Sequence, residues 1–154
     1  MRVNFYDLVL SEDDRAVLEK KKAVNFAAGK MNHPDEVVTM MRDLLHMDKM
    51  AEEHCFMIAL NNTCKMIGIF FLSKGVVNYS VISPRELFIR ALLAGAVQFI
   101  LCHNHPSGEC LPSKTDIEIT KQLKEAGQLL CVKLTDHIII GGDTYYSFKE
   151  HEML

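Results

Sequence analysis

A short apolar run that ends in two histidines constrains the fold of this chain more than any other feature. Residues 97–102 read Val-Gln-Phe-Ile-Leu-Cys, which predicts a strand buried on both faces of a sheet. His103 and His105 follow at the exit of this strand. In an extended backbone, residues two apart project to the same side, so both imidazoles face one point and Asn104 faces away from it. We therefore expect a central strand that brings two histidines to one edge of a sheet.

The next segment predicts a loop and then a helix. Pro106 and Gly108 interrupt the strand and favour a turn. Apolar residues then recur at helical intervals, at Ile119, Leu123 and Ala126. The helix is expected to begin near Ser113, which places Asp116 in its first turn. Two imidazoles and one carboxylate are the three protein ligands typical of a catalytic zinc site, whose fourth position holds water.

Two simpler interpretations apply to parts of this pattern. Ser113-x-x-Asp116 has the form of a helix capping box, with the serine as N-cap and an acidic residue three positions later. Two histidines at a strand end are also common as polar residues at the rim of a sheet. Because the histidines, the turn residues and the cap occur together, the combination favours a metal site.

The same residues resemble a known motif. His103-x-His105, seven residues, Ser113, two residues and Asp116 resemble the JAMM (MPN+) metalloprotease motif. The fuller His-Asn-His-Pro-Ser-Gly, followed by Pro-Ser-x-x-Asp, is similar to the RadC branch of that family. The likeness continues outside the motif, at 53–60, 83–88, 126–127, 136–141 and 146–148. The resemblance implies an α/β fold in which helices flank a mixed β-sheet, the JAB/MPN architecture, which is cytidine-deaminase-like.

The resemblance also implies roles for individual residues. A Zn²⁺ ion is expected on His103, His105 and Asp116, with Ser113 beside the bound water or the oxyanion. An upstream glutamate serves as general acid and base, and Glu53 is the best match because it precedes the apolar run 55–60.

Two other glutamates are alternatives to Glu53. Glu52 is adjacent to it and is an alternative, and without the resemblance either one would be taken for a solvated charge. Glu86 is a poorer candidate, because Ser83 and Pro84 make it the third residue of another capping box.

One stretch of the chain departs from the usual RadC pattern. After Ser107-Gly108 the family generally has Asp and then Pro, whereas this chain has Glu109, Cys110 and Leu111. A thiol is a ligand that zinc accepts readily, so Cys110 is a candidate fourth ligand or redox-sensitive group. Since three protein ligands already complete a catalytic set, we expect Cys110 to be an ordinary loop residue.

The function implied is a zinc-dependent hydrolase in which activated water attacks a peptide or isopeptide amide of a protein substrate. One alternative is a nucleic-acid-processing protein associated with DNA repair. The net charge of -3 does not support it, and the basic run 20–22 is interpreted as a solvated helix end. The letters His-Asn-His are contiguous here, whereas true HNH nucleases separate them widely. The other alternative is a non-catalytic MPN interaction module, but such modules lack the ligand set.

The N-terminal third predicts two helices, at 12–22 and 34–50. We expect residues 1–50 to form a helical extension packed on a catalytic domain at 51–154. No glycine-centred hairpin of the kind found in DNA-binding modules occurs in residues 1–50, which indicates a short, stand-alone RadC-like form. The oligomeric state is left open.

The remaining elements follow from apolar periodicity. Strands are predicted at 55–60, 66–72, 76–81, 130–134, 137–140 and 145–148, with a helix at 84–94. Gly141-Gly142-Asp143 predicts a hairpin turn. Asp136 and His137 invite interpretation as a second metal site, but we expect them to fix a strand edge through hydrogen bonds.

The five cysteines point to a reducing compartment. They are odd in number and do not have the spacing of a disulfide framework. The chain begins without a charged and apolar leader, and no stretch is apolar enough to cross a bilayer. A cytoplasmic protein without membrane contact is therefore expected.

Overall fold

The computed structural model describes residues 1–27, 31, 33–75 and 82–154. Within these ranges the strands are β1 (Arg2–Leu10), β2 (Ala16–Asn25), β3 (Glu53–Leu60), β4 (Met66–Gly75), β5 (Gln98–Asn104), β6 (Lys133–Gly141) and β7 (Thr144–Ser147). The helices are α1 (Pro34–Leu45), α2 (Pro84–Leu93) and α3 (Lys114–Leu130), with a 3₁₀ turn at Met47–Lys49. None of these helices is long and apolar enough to span a membrane.

The described strands form one mixed sheet in the order β2-β1-β4-β3-β5-β6-β7. The pairs β1/β4 and β5/β6 are parallel and the other neighbours are antiparallel. Helix α1 packs on one face, and α2 and α3 pack on the other. The predicted α/β fold with a mixed sheet flanked by helices is confirmed.

Strand β5 lies inside this sheet and is buried on both faces, as its apolar run predicts. Ile100 and Cys102 belong to the core under α1. Phe99 and Leu101 belong to the core under α2 and α3. Alternate side chains thus enter opposite cores, and the next position on the α3 side is that of His103.

The helix predicted at 12–22 is wrong. Residues 16–25 form β2, the outermost strand, which pairs with β1. Because β2 is an edge strand, most of its side chains are exposed, and a run of charges carries no period that separates a helix from a strand. The basic run 20–22 lies on this edge, where lysines discourage pairing with another chain. The first 25 residues therefore extend the sheet and do not pack on it as a helix.

The second N-terminal helix is confirmed in part. It begins at Pro34 as expected, but it ends at Leu45, because His46 adopts a left-handed conformation with φ of 53°. The 3₁₀ turn Met47–Lys49 then leads toward β3. The inner side of α1 consists of buried apolar residues, at Val37, Val38, Met40 and Met41.

The C-terminal half differs from expectation at the end of α3. This helix runs to Leu130, so the strands predicted at 130–134 and 137–140 are a single strand, β6. Leu129 and Leu130 are exposed at the helix end. Because both are apolar, the sequence pattern there resembles the start of a buried strand. Gly127 lies within this helix, where the Val132 carbonyl occupies the space that a Cβ would fill.

The other predicted elements agree with the structure, with one outside the described residues. Predicted strands 55–60 and 66–72 lie within β3 and β4, and helix 84–94 corresponds to α2. The strand predicted at 145–148 is β7, which the hairpin turn at Gly141-Gly142-Asp143 joins to β6. The strand predicted at 76–81 falls outside the described residues.

Candidate metal centre

Strand β5 and helix α3 bring two imidazoles and a carboxylate together. His105 extends the path of β5, since its backbone N–H donates to the Ile140 carbonyl on β6 at 2.8 Å. His103 Nε2 lies 3.0 Å from His105 Nε2. Asp116 Oδ1 is 3.2 Å from His103 Nε2, and Asp116 Oδ2 is 3.6 Å from His105 Nε2. The three predicted ligands thus converge on one point, and such a group can bind a metal ion.

The helix cap orients Asp116. Its Oδ2 accepts hydrogen bonds from the Ser113 backbone N–H at 2.7 Å and from Ser113 Oγ at 2.6 Å. Ser113 Oγ accepts from the Asp116 backbone N–H at 3.1 Å. The Asp116 carboxylate can therefore take part in the helix cap and in the cluster at the same time, because Oδ2 accepts the cap bonds and Oδ1 faces His103. Burial opposes ionisation, but the contacts with His103 and His105 hold the pKa of Asp116 well below its usual range.

The outer nitrogens of both histidine rings have protein partners. His105 Nδ1 lies 2.8 Å from the Glu109 carbonyl. Since a carbonyl only accepts, Nδ1 carries a proton, and Nε2 is the atom available to a ligand. His103 Nδ1 lies 2.9 Å from Nε2 of the fully buried His137. Hydrogen bonds of this kind fix ring orientation in metal sites.

The electrostatics of the cluster fit a cation. Two ring nitrogens and a carboxylate lie within 3.6 Å of one another, so a positive charge between them is strongly favoured. Burial lowers the pKa of His105, but contacts with Asp116 and the Glu109 carbonyl outweigh burial and raise it. A proton is therefore attracted to the point where an ion would lie. Imidazole nitrogen with carboxylate oxygen is a donor set that zinc prefers.

Of the two candidate glutamates, Glu53 lies at the cluster. The antiparallel pairing of β3 with β5 sets Cys55 opposite His103, which places Glu53 at the same edge. Its Oε1 is 3.9 Å from His103 Nε2, and its side chain is 13% exposed. Glu52 instead forms an ion pair with Lys74 at 2.5 Å, with about half of its side chain exposed. Of these two glutamates, Glu53 is therefore the one whose carboxylate lies beside the cluster.

Asn104 is a residue of this site that the sequence analysis missed. It lies on the opposite side of β5 and is buried. Its Oδ1 accepts from the His54 backbone N–H at 2.8 Å, and its Nδ2 donates to the Glu52 carbonyl at 3.1 Å. These two bonds hold the backbone on both sides of Glu53. The signal was an amide between two histidines that follows the buried residues Ile100 and Cys102 on the same face of the strand.

The expectation for Asp136 and His137 is confirmed for one residue and wrong for the other. Asp136 accepts from Ser147 Oγ at 2.7 Å and from the Lys149 backbone N–H at 3.0 Å, which joins β6 to the end of β7. His137 does not fix a strand edge, because its ring is buried beside His103. Burial and the neighbouring His103 hold the pKa of His137 well below its usual range, so it is neutral.

Two other sequence candidates lie in ordinary environments. Cys110 Sγ accepts from the Thr144 hydroxyl at 3.4 Å and is not a member of the group that converges with Asp116. Glu86 N–H donates to Ser83 Oγ at 3.4 Å, which confirms the second helix cap. The Glu86 carboxylate contacts Arg85 and Arg90.

Comparison with known proteins identifies the family of this α/β domain. Residues 31–153 match the family model described as the RadC-like JAB domain. The chain therefore belongs to the RadC-like JAB domain family.

Similar proteins from several bacteria carry the description UPF0758 protein. The one from Alkaliphilus metalliredigens is 39% identical over 144 residues, covering 90% of this chain and 61% of its own length. The one from Clostridium perfringens is 38% identical over 133 residues, covering 86% and 58% respectively. The one from Caldanaerobacter subterraneus is 38% identical over 136 residues, covering 88% and 56%. The chain thus spans less than two thirds of the length of these relatives.

Proposed function

We propose that this domain is a zinc-dependent hydrolase of the JAMM type that cleaves a peptide or isopeptide amide in a protein substrate. One observation carries the proposal. The ligand group of His103, His105 and Asp116 has the Glu53 carboxylate 3.9 Å from one of its nitrogens. A three-ligand metal group with a carboxylate beside it is the arrangement that metal-assisted amide hydrolysis requires.

The ligand roles follow from the atoms that converge. His103 Nε2, His105 Nε2 and an oxygen of Asp116 would hold the ion, and each residue has a further hydrogen bond that fixes its orientation. A zinc ion held there would act as a Lewis acid toward the substrate carbonyl and would make water nucleophilic near neutral pH.

Glu53 is assigned the transfer of protons. Its carboxylate has no hydrogen-bond donor among the residues that the structure describes, so Oε1 and Oε2 are available to accept a proton from attacking water. The same carboxyl group then gives the proton to the nitrogen of the leaving amine. General acid and base catalysis by one positioned carboxyl group contributes about 10²- to 10⁴-fold.

Ser113 is assigned an orienting role. The family resemblance implies a place for Ser113 beside the bound water or the oxyanion, but its hydroxyl proton is donated to Asp116 Oδ2 at 2.6 Å. A hydroxyl has one proton, so donation to an oxyanion would break the bond that orients Asp116. We therefore assign to Ser113 the stabilisation of the ligand carboxylate.

Metal analysis and a digest of a peptide library test the proposal together. The wild-type protein is expected to contain zinc and to cleave amides. Glu53→Gln should retain zinc and lose about 10²- to 10⁴-fold in cleavage rate. Glu52→Gln is the matched control and should retain both, because Glu52 pairs with Lys74 at the surface. Full activity of Glu53→Gln would contradict the assignment.

The alternatives are separate outcomes of the same experiment. Metal-dependent cleavage of single-stranded or branched DNA, lost in His105→Ala, would indicate a nucleic-acid-processing protein. A purified protein that binds no metal would indicate a non-catalytic interaction module. No described feature favours either one over amide hydrolysis.

A further inference from the structure

A buried chain of hydrogen bonds lies behind His103. His103 Nδ1 is 2.9 Å from His137 Nε2, and His137 Nδ1 is 2.6 Å from Thr120 Oγ1. Thr120 Oγ1 lies 2.5 Å from the Asp116 carbonyl, one helical turn earlier in α3. The two histidines are 0% exposed and Thr120 is 3% exposed. A continuous, buried chain of hydrogen bonds therefore runs from the Asp116 backbone carbonyl to the His103 ring.

The backbone carbonyl at the end of this path determines the direction of every bond. A carbonyl oxygen cannot donate, so the contact between Thr120 and Asp116 uses the single hydroxyl proton of Thr120. Thr120 Oγ1 is then an acceptor toward His137, and the proton of that bond belongs to His137 Nδ1. The directions of these two bonds therefore follow from the Asp116 carbonyl and the Thr120 hydroxyl, which both lie on α3.

The same logic continues through the rings. The ring of His137 is fully buried, and its two nitrogens contact Thr120 Oγ1 and His103 Nδ1 but no carboxylate. A buried ring without an anionic partner carries one proton, so with Nδ1 protonated its Nε2 has a free lone pair. The bond at 2.9 Å then requires a proton on His103 Nδ1. This leaves His103 Nε2 unprotonated toward Asp116 and His105. The ring of His137 is also held in place, because it stacks on Phe148 with centroids 4.7 Å apart and planes at 9°.

We propose that Thr120 and His137 are positioning residues that select the tautomer of His103 able to bind the metal. The inference rests on the proposed function in one respect, which is that His103 Nε2 is a metal ligand. If every bond in this chain ran in the opposite direction, His103 would carry its proton on Nε2, where the ion would bind. That reversal would also leave two oxygen atoms, Thr120 Oγ1 and the Asp116 carbonyl, in close contact without a proton between them.

The first test is the protonation of the histidine nitrogens in the zinc-free protein, measured by nitrogen-15 NMR. The wild-type protein should carry the protons of His103 and His137 on Nδ1. Thr120→Ser, which keeps the hydroxyl, should show the same pattern. Thr120→Val has almost the same shape but no acceptor, so the proton of His137 should move to Nε2 and that of His103 should follow. A wild-type His103 that carries a proton on Nε2 and none on Nδ1 would overturn the proposal, and this result needs no variant protein.

The second test is zinc affinity, measured by competition with a chromophoric chelator. Loss of a hydrogen-bond partner behind a ligand costs about 10- to 100-fold in metal affinity, and we expect a loss of this size in Thr120→Val. Thr120→Ser should bind zinc much as the wild type does. Equal affinities of Thr120→Val and wild type, with matching circular dichroism spectra, would overturn the proposal.

These tests separate this inference from the proposed function. The NMR pattern is recorded without metal or substrate, so it does not depend on hydrolysis. A protein with the expected tautomers and zinc affinities but no amide cleavage would overturn the proposed function alone. A protein that cleaves amides while Thr120→Val keeps wild-type tautomers would overturn the inference alone.

Discussion

The two sides of the candidate site are held in different ways. On the ligand side, formed by His103, His105 and Asp116, each side chain has at least one hydrogen bond in addition to its contacts within the cluster. On the glutamate side, the Glu53 carboxylate has one ionic contact among the described residues, at 3.9 Å from His103 Nε2. The backbone around Glu53 is held by hydrogen bonds of Asn104 to His54 and Glu52, the two neighbours of Glu53.

The difference matches the two tasks that we propose. A metal ligand performs best when its donor atom is fixed before the ion arrives, which requires hydrogen bonds to the side chain itself. A carboxylate that gains and loses a proton must make and break its own bonds in each cycle, so only its backbone can be fixed. Preorganisation of this site is thus divided between side-chain contacts and backbone contacts.

The largest expected effect is a difference in stability between the two sides. His103→Ala removes a fully buried ring and leaves His137 without its partner, so the zinc-free protein should lose about 2–4 kcal/mol of unfolding free energy. Glu53→Gln should cost less than about 1 kcal/mol, because that carboxylate has no hydrogen bond to lose within the described part of the chain. Urea denaturation of both variants measures the contrast. Equal losses would show that Glu53 is fixed as firmly as the ligands.

A second prediction concerns the backbone support of Glu53. Asn104→Ala removes the bonds to His54 and Glu52, so the carboxylate should shift and the cleavage rate should fall about 10- to 100-fold. Zinc affinity should stay close to that of the wild type, because Asn104 faces away from the ligands.

The matched control for Asn104 is Asn61→Ala. Asn61 caps the turn at the other end of β3, where its Oδ1 accepts from the backbone N–H groups of Thr63 and Lys65. Its replacement should affect stability without changing the cleavage rate. A parallel loss of zinc affinity and rate in Asn104→Ala would contradict the separation of the two sides.

A third prediction is the pH dependence of zinc binding. A zinc ion at this site would require unprotonated His105 Nε2. The pKa of His105 is raised by its contacts with Asp116 and the Glu109 carbonyl in spite of burial. As the pH falls through this raised value, protons compete with zinc, and the affinity should fall about tenfold per pH unit for each proton displaced. Chelator competition over a range of pH measures the slope.

The glutamate side should have little influence on this profile. Asp116 and the Glu109 carbonyl contribute more than Glu53 to the shift of His105. Glu53→Gln is therefore expected to move the midpoint only slightly. A large shift would indicate that Glu53 belongs to the ligand side.

The smallest expected effect is that of Cys110→Ser. The thiol contacts Thr144 and lies outside the ligand group, so zinc content and cleavage rate should both remain at wild-type values. Loss of zinc in this variant would add a fourth ligand to the site and remove the position reserved for water.

Several parts of the fold were predictable because their signals are local. The apolar run of β5, the turn residues after it and the cap at Ser113 all act within one element or one loop. The helix expected at 12–22 failed for the opposite reason, since an exposed edge strand buries too few side chains to show a period. The end of α3 was misplaced because exposed Leu129 and Leu130 resemble core residues.

The choice between the two candidate glutamates and the residues behind His103 depended on pairing between distant segments. Glu52 and Glu53 are equivalent in the sequence, and only the register that sets Cys55 opposite His103 separates them. His137 lies behind His103 because β6 pairs in parallel with β5, with Leu101 opposite His137. These strand registers cannot be predicted from the spacing of residues along the chain, because they arise from the packing of whole elements.

By itself, the sequence determined which side chains meet at the end of β5, because residues two apart on a strand and a capped first helical turn have fixed local geometry. The tertiary structure alone decided which glutamate joins them and which hydrogen bonds hold the rings. Those contacts join segments from 17 to 50 residues apart, among them Thr120 with His137 and His54 with Asn104. Their alignment is set by the buried cores on the two faces of the sheet.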